Sequence, residues 1–128
     1  MENFDIGQLE YLHDAIVKEI SFTYSDTSKN LRITTACDDD SGCFDWCGKT
    51  VIVTFLNVVR ASGTLLGHVA GYDMVQSFSE GASADMKRSF QQLSGIGIAA
   101  PRVIVKLCLH SGSEVEIACD EISVRVEG

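Results

Sequence analysis

The chain has 128 residues, 45% of them hydrophobic, and a net charge of -8 from 10 basic and 18 acidic side chains. This length is typical of a single domain, here residues 1–128, that buries a core without metal or disulfide support. The charge disfavours binding to nucleic acid or to an anionic membrane, because both need a basic surface. It favours encounter with a basic protein, although an acidic surface that serves only solubility is the alternative.

Several features predict a cytoplasmic protein. The acidic start, Met1 to Asp5, lacks the basic and apolar regions of a secretory signal. The most apolar stretch, Val51 to Val59, is too short to span a bilayer, which takes about 20 residues. Five cysteines are an odd number, which is untypical of a secreted disulfide framework. We therefore expect thiols in a reducing compartment and no membrane association.

The first half of the chain has the alternation of strands. Ile20, Phe22 and Tyr24 alternate with polar residues, and the polar segment 25–30 then predicts a turn into a second strand. A third segment is rich in valine, isoleucine, threonine and phenylalanine. The predicted strands cover residues 15–24, 31–35 and 49–60. The glycine-containing segment 61–71 is predicted to be a loop.

The second half predicts one helix among further strands. Residues 72–78 fit either a strand or a helix, and we favour a strand. The helix is expected near 83–94, with Ser83 as its cap, an apolar stripe, and Gly95 at its end. Three more strands are expected over 102–110, 114–119 and 122–126, the first two joined by a tight hairpin. The predicted fold class is α+β: a mainly antiparallel β-sheet of six or seven strands with one principal helix.

The segment Cys37 to Cys47, CDDDSGCFDWC, raises the question of a metal site. Structural zinc sites usually contain closely spaced cysteine pairs, whereas the gaps between Cys37, Cys43 and Cys47 are longer and no second cluster answers them. An EF-hand reading fails as well, because Lys49 stands where a bidentate glutamate is needed. We predict no metal and no cofactor.

The same segment has the composition of a protein-binding hot spot. Aromatic rings supply buried contact area, and carboxylates around them steer a basic partner. The candidate partner-binding residues are Asp38, Asp39, Asp40, Phe44, Asp45 and Trp46. In the alternative interpretation, the two aromatic rings fold back onto the core and the aspartates are merely solvated.

No pattern in the chain predicts catalysis. His13 and Asp14 are an acid–base combination, but neighbours on a strand point to opposite faces and cannot easily bond to each other. We therefore expect a structural role for them at the start of the first strand. The chain contains no G-x-S-x-G, H-E-x-x-H or P-loop motif, and we predict that it is not an enzyme.

Three segments carry a family resemblance. Leu12-His13-Asp14-Ala15 leads into a strand and is followed by the segment Thr50 to Val58, and a late hairpin covers Leu109 to Ile117. In these segments the chain resembles a group of small, mostly uncharacterised bacterial proteins with an L-H-D-[AS] start and an I-x-F-x-x-V segment. Some of that group resemble immunity proteins, which neutralise a toxin made by the same or a neighbouring cell. The segment from Cys37 to Cys47 is not part of the pattern.

The resemblance implies an inhibitor that plugs a toxin's active site or blocks its surface. Together with the acidic charge it leads to the hypothesis of an immunity-type protein for a basic, nuclease-like toxin domain. Two alternatives remain open at this point. One is a small metal- or thiol-dependent protein that uses Cys37, Cys43, Cys47 and a histidine. The other is an oligomerisation module, for instance a dimer formed by exposed sheet edges.

Overall fold

A computed structural model of the chain describes residues 9, 12, 14–24, 28–37, 46, 48–64, 74–80, 84–97 and 103–128. Within these ranges there are eight strands and one helix. The strands are β1 (Ile16–Tyr24), β2 (Lys29–Ala36), β3 (Thr50–Leu56), β4 (Arg60–Thr64), β5 (Val75–Glu80), β6 (Val103–Leu109), β7 (Glu114–Cys119) and β8 (Glu121–Glu127). The helix, α1 (Ala84–Gly95), lies between β5 and β6 in the chain.

The strands form two four-stranded antiparallel sheets. The order in the first sheet is β1-β2-β3-β8, and the order in the second is β4-β7-β6-β5. Hairpins account for the neighbours β1–β2, β2–β3 and β6–β7. The pairings β3–β8 and β4–β7 are long-range, and they bring the middle of the chain against its end.

A bent ribbon of two segments connects the sheets. One segment runs through β3 and β4, and the other runs back through β7 and β8. At the bend Asn57 has a φ of 55°, a left-handed conformation that asparagine tolerates better than most residues. The Asp120 N–H donates to the Leu56 carbonyl (3.0 Å), and the Val59 N–H donates to the Ala118 carbonyl (2.8 Å). Both strands of the ribbon are therefore tied to each other across the corner.

One hydrophobic cluster takes side chains from both sheets. A β-bulge between Val17 and Glu19 keeps both Val17 and Ile20 on the core side of β1. Three cross-strand rows lie on the core-facing side of the first sheet, and only Phe22 and Val126, at its edges, are exposed: Val17, Thr35, Val51 and Val126; Ile20, Ile33, Val53 and Val124; Phe22, Leu31, Phe55 and Ile122. The second sheet contributes Val75, Phe78, Val105, Leu107, Leu109, Ile117 and Cys119. Each large apolar side chain that is fully buried stabilises the fold by about 1.5–3 kcal/mol, so this shared core holds the sheets together.

The helix covers part of the outer face of the second sheet. Phe90, 9% exposed, packs with Ala118 and Ile104 in a small separate cluster. After the last turn, Gly97 has a φ of 85°, and its N–H donates to the Ser94 carbonyl (3.1 Å). This is the glycine-dependent end that helices commonly have.

The predominance of antiparallel sheet and the helix near 83–94 are confirmed, but the class α+β is not the best description. The part of the chain that the structure describes has eight strands in two sheets and one helix of 12 residues, so the fold is mainly β. The strand favoured for 72–78 is confirmed by β5. The predicted cap, Ser83, lies outside the described residues.

The strand count was too low because of the bend at Asn57. The sequence predicted one strand over 49–60, whereas the left-handed residue ends β3 at Leu56. A new strand, β4, then covers residues 60–64, where the glycine had predicted a loop. Ala61 and Gly63 lie opposite Ile117 and Val115, so a small residue and a glycine complete the edge of the second sheet.

Candidate functional site

The acidic segment connects the end of β2 to the start of β3, and the structure describes the residues at its base. The Cys37 N–H donates to the Lys49 carbonyl (2.9 Å), and the Gly48 N–H donates to the Cys37 carbonyl (2.7 Å). Gly48 has a φ of 75°, which suits a glycine in a turn. Next to this base, the buried Thr35 hydroxyl donates to the Val51 carbonyl (2.8 Å). We call Cys37, Trp46, Gly48 and Lys49 the loop base.

Trp46 is the one predicted partner-binding residue inside the described ranges. Its side chain is half-buried and packs against the main core cluster, and its carbonyl accepts the Lys49 N–H (3.0 Å). Part of the ring therefore supports the fold, and part is accessible to a partner. The other five predicted contact residues, Asp38, Asp39, Asp40, Phe44 and Asp45, lie outside the described residues.

Cys37 belongs to the core of the protein. It is 2% exposed and clusters with the buried side chains of both sheets, as a small apolar residue does. Cys43 and Cys47 lie outside the described residues. Among the residues that are described, no group of three or more histidine, cysteine, aspartate or glutamate side chains could hold a metal ion.

A second cluster of polar residues lies where the two sheets meet at their other edges. The His110 Nε2 and the Asp14 Oδ1 are 2.9 Å apart, and both side chains are partly exposed. Beside them Ile16 and Met74 form an isolated antiparallel bridge between the first residue of β1 and the residue before β5. The pair therefore joins the first sheet to the second.

Backbone bonds position both members of this pair on the same segment. The Asp14 N–H donates to the Val75 carbonyl (2.8 Å), and the His110 N–H donates to the Met74 carbonyl (2.9 Å). Asp14 has a φ of 67°, a left-handed conformation that aspartate adopts more readily than most residues. In return, the Val75 N–H donates to the Ala15 carbonyl (2.9 Å). Because Asp14 and His110 are both bonded to the segment 74–75 at the joined sheet edges, the Asp14 carboxylate and the His110 imidazole are held next to each other.

This contact gives the L-H-D-A segment a structural meaning. Leu12 and Ala15 are fully buried, and Asp14 reaches the late hairpin through His110. The expected structural role at the start of the first strand is thus observed for Asp14, whereas His13 lies outside the described residues. The partner of Asp14 was missed, because His110 is 96 residues away and only the family resemblance had singled out both segments.

Chemically, an imidazole held by a carboxylate can accept or donate a proton. In the adjoining turn the Ser111 and Ser113 hydroxyls are 2.8 Å apart, and the Ser113 N–H donates to the Ser111 Oγ (3.3 Å). Ser113 is fully buried. These bonds stabilise the turn at Gly112, which has a φ of 93°. The hydrogen bonds of Ser111 and Ser113 therefore have a structural explanation, which is the packing of the hairpin turn.

Two further thiols differ in their surroundings. Burial raises the pKa of the Cys119 thiol to about 11, and the Asp120 carboxylate adds to the rise because it disfavours a second negative charge. Cys108 is only half-buried, on the outer face of the second sheet, where its Sγ lies 3.9 Å from the Glu114 Oε1. Lys106 is paired with the same carboxylate at 3.5 Å. Cys119 is thus an inert core residue at neutral pH.

A scan against protein-family models finds no match to the chain, and searches of curated proteins and of solved structures find no significant similarity. Among the described residues, no helix has the length and apolar character needed to cross a membrane.

Proposed function

We propose that the chain is an immunity-type protein that binds and neutralises a basic, nuclease-like toxin domain through the acidic segment. The observation that carries this proposal is the loop base. Segment 38–45 holds four aspartates and no basic residue, and it follows a buried Cys37 that is hydrogen-bonded to Gly48 and Lys49. A binding segment that is anchored in the core loses less conformational entropy on binding than a segment that is loosely anchored.

Electrostatics supports a basic partner. Two proteins with complementary charge associate faster, and a chain of net charge -8 attracts a surface that has evolved to hold phosphate. The effect acts over about one Debye length, roughly 8 Å at physiological ionic strength, so the position of the carboxylates matters as well as their number. Asp38, Asp39 and Asp40 are consecutive and concentrate charge at one place.

Trp46 supplies the apolar part of the proposed contact. Aromatic residues dominate the energy of many protein interfaces when a partner removes the ring from water. Because one side of Trp46 already packs on the core, the ring is held in place before binding. Its replacement is expected to affect both binding and stability, so the aspartates are the better residues for a test.

The compartment is part of the same proposal. We place the protein in the reducing cytoplasm, where an immunity protein meets its toxin. The odd number of five cysteines supports this assignment, because a secreted disulfide framework usually pairs its cysteines.

The test is inhibition of a basic nuclease domain encoded beside this chain in its source genome. The wild-type chain is expected to block cleavage of nucleic acid at equimolar concentration. The triple variant Asp38→Asn, Asp39→Asn, Asp40→Asn is expected to inhibit at least about tenfold less well, mainly through a slower association rate. Raising the salt concentration should narrow this difference, because salt screens the steering.

A second triple variant is the matched control. Glu19→Gln, Glu114→Gln and Glu116→Gln remove the same charge from carboxylates on β1 and β7. We expect it to inhibit within about threefold of the wild type, since single surface ion pairs contribute little. Equal losses in the two triple variants would contradict a local site, and a nuclease left fully active by the wild-type chain would contradict the proposed function.

A further inference from the structure

The end of the last strand lies beside the loop base. In the pairing of β3 with β8, Val126 lies opposite Val51. Gly128 lies so close to Lys49 that a Cβ placed on the glycine would be 3.1 Å from the Lys49 Cγ. The end of β8 therefore contacts a member of the loop base, although the two are far apart in the chain.

Val126 is an apolar side chain that the fold covers only in part. It lies on the core-facing side of the first sheet, in one row with Val17, Thr35 and Val51. Those three residues are fully buried, whereas Val126 is 39% exposed. It stands at the end of the row because β8 is an edge strand of the first sheet. Its position at the edge thus leaves apolar surface next to the loop base.

Two residues of the loop base adjoin this surface. Lys49 is two residues before Val51, the partner of Val126, so Lys49 and Val126 are diagonal neighbours, which lie roughly 7–8 Å apart on paired strands. The stem of a lysine is apolar and covers apolar surface while its ammonium stays in water. Trp46 packs against the main core cluster, and its carbonyl accepts the Lys49 N–H (3.0 Å). The exposed part of Val126 therefore continues the surface that the loop base offers.

A bound partner covers an area much wider than the loop base itself. A stable interface buries about 800 Å² of each protein, which corresponds to a round patch with a radius of roughly 16 Å. When such a patch is centred on the loop base, Val126 lies well inside it. Val59 is a second exposed valine, but it lies beyond the far end of β3, a strand that alone spans about 20 Å. A partner at the loop base therefore covers Val126 and does not cover Val59.

We infer that Val126 belongs to the partner-binding surface and that an apolar side chain of the basic toxin domain covers it. The inference rests on the proposed function, because it takes the partner of the acidic segment as its occupant. Basic residues of that partner meet the aspartates of segment 38–45. The Lys49 ammonium disfavours a further basic residue beside Val126, so the partner presents an uncharged, apolar group at this place.

Binding kinetics with the basic nuclease domain encoded beside this chain test the inference. Val126→Ser is expected to weaken the complex about fivefold to tenfold, mainly through faster dissociation, because it removes apolar contact area. Val59→Ser is the matched control, since it changes the same residue type at nearly the same exposure (42%). We expect the control to bind within about twofold of the wild type.

Salt dependence separates the apolar contact from the effect of the aspartates. The loss caused by Val126→Ser is expected to be the same at low and high salt, because salt does not screen an apolar contact. Circular dichroism of each variant checks that the sheets are intact. Val126→Thr keeps the branched shape that suits a strand, so it serves as a second variant with an expected loss of about threefold.

Failure of this inference can be told from failure of the proposed function. If the wild-type chain binds the nuclease domain and the folded Val126 and Val59 variants bind equally well, Val126 lies outside the contact, and the proposed function stands. If the wild-type chain does not bind the domain, the proposed function is wrong, and the inference about Val126 falls with it.

Discussion

The two ends of the first sheet differ in how completely they are packed. At the loop base Cys37 is 2% exposed, Thr35 is fully buried, and backbone bonds continue the β2–β3 pairing beyond the strands. At the opposite end of the sheet, where β1 ends and β2 begins, Tyr24 is 72% exposed, although it lies on the same face of the sheet as the core residues. Alternation along a strand therefore determines the side on which a residue lies, but it does not determine whether that side is covered.

One cross-strand row shows the change from packed to exposed. Phe22, Leu31, Phe55 and Ile122 lie opposite one another, with exposed fractions of 42%, 2%, 0% and 8%. Burial is complete in the middle of the sheet and decreases at β1, an edge strand. The exposed ring is thus explained by its position at a corner of the sheet.

The largest expected effect tests this gradient of burial by replacing phenylalanine with alanine at two positions of the row. Phe55→Ala removes a fully buried ring and should reduce the free energy of unfolding by about 3–5 kcal/mol. Phe22→Ala should reduce it by about 1 kcal/mol or less, because much of that ring is already in water. Chemical denaturation followed by circular dichroism measures both. Equal losses would mean that the Phe22 ring is covered in the free protein.

A smaller effect is expected where the sheet edges meet. Asp14→Ala removes the carboxylate that bonds to His110 and leaves a side chain that tolerates the left-handed backbone poorly, so the expected loss is about 1–2 kcal/mol. Asp14→Gly also removes the carboxylate but relaxes the backbone, and it should be the milder change by about 1 kcal/mol. If Asp14→Ala and Asp14→Gly are equally destabilising, the left-handed backbone is not the reason that this position favours aspartate over alanine.

The smallest effect on stability near neutral pH concerns the thiols. Because burial raises the pKa of Cys119 to about 11, the folded protein keeps this proton where the unfolded chain loses it. The contribution to stability is full below pH 9 and is lost as the pH rises towards 11. Denaturation of the wild type and of Cys119→Ala at pH 8 and pH 10.5 should show that the free energy of unfolding falls more between these two pH values in the wild type than in the variant.

Reactivity of the same thiols gives an independent check. At pH 8 iodoacetamide should modify the half-buried Cys108 before Cys119, which is expected to react only on unfolding. Mass spectrometry of the peptides identifies the modified residue. Early modification of Cys119 would show that the core around β7 opens readily.

Most of the fold was predictable because its signals are local. The strand alternation, the helix over 84–95 and the turn at Gly112 all follow from residues close in the chain. The bend at Asn57 carried a signal too, since asparagine is favoured in the left-handed conformation, but the apolar residues around it predicted a continuous strand. The division into two sheets occurs at that bend and was therefore missed.

The contacts of the candidate site were less predictable, because they are long-range. Asp14 and His110 meet only after two sheet edges have joined, and no local pattern contains that information. The exposure of Tyr24 likewise depends on how far the second sheet extends. By contrast, the acidic character of segment 38–45 is a property of the sequence itself, which is why a binding role could be expected from it.

The central claim is that the loop base adjoins a partner-binding surface. Two-dimensional NMR of the isotopically labelled chain tests it most directly. Titration with the basic nuclease domain should shift the amide signals of Cys37, Trp46, Gly48 and Lys49. Shifts that fall at Tyr24, Lys29 and Glu121, at the other end of the sheet, and spare the loop base would contradict the account.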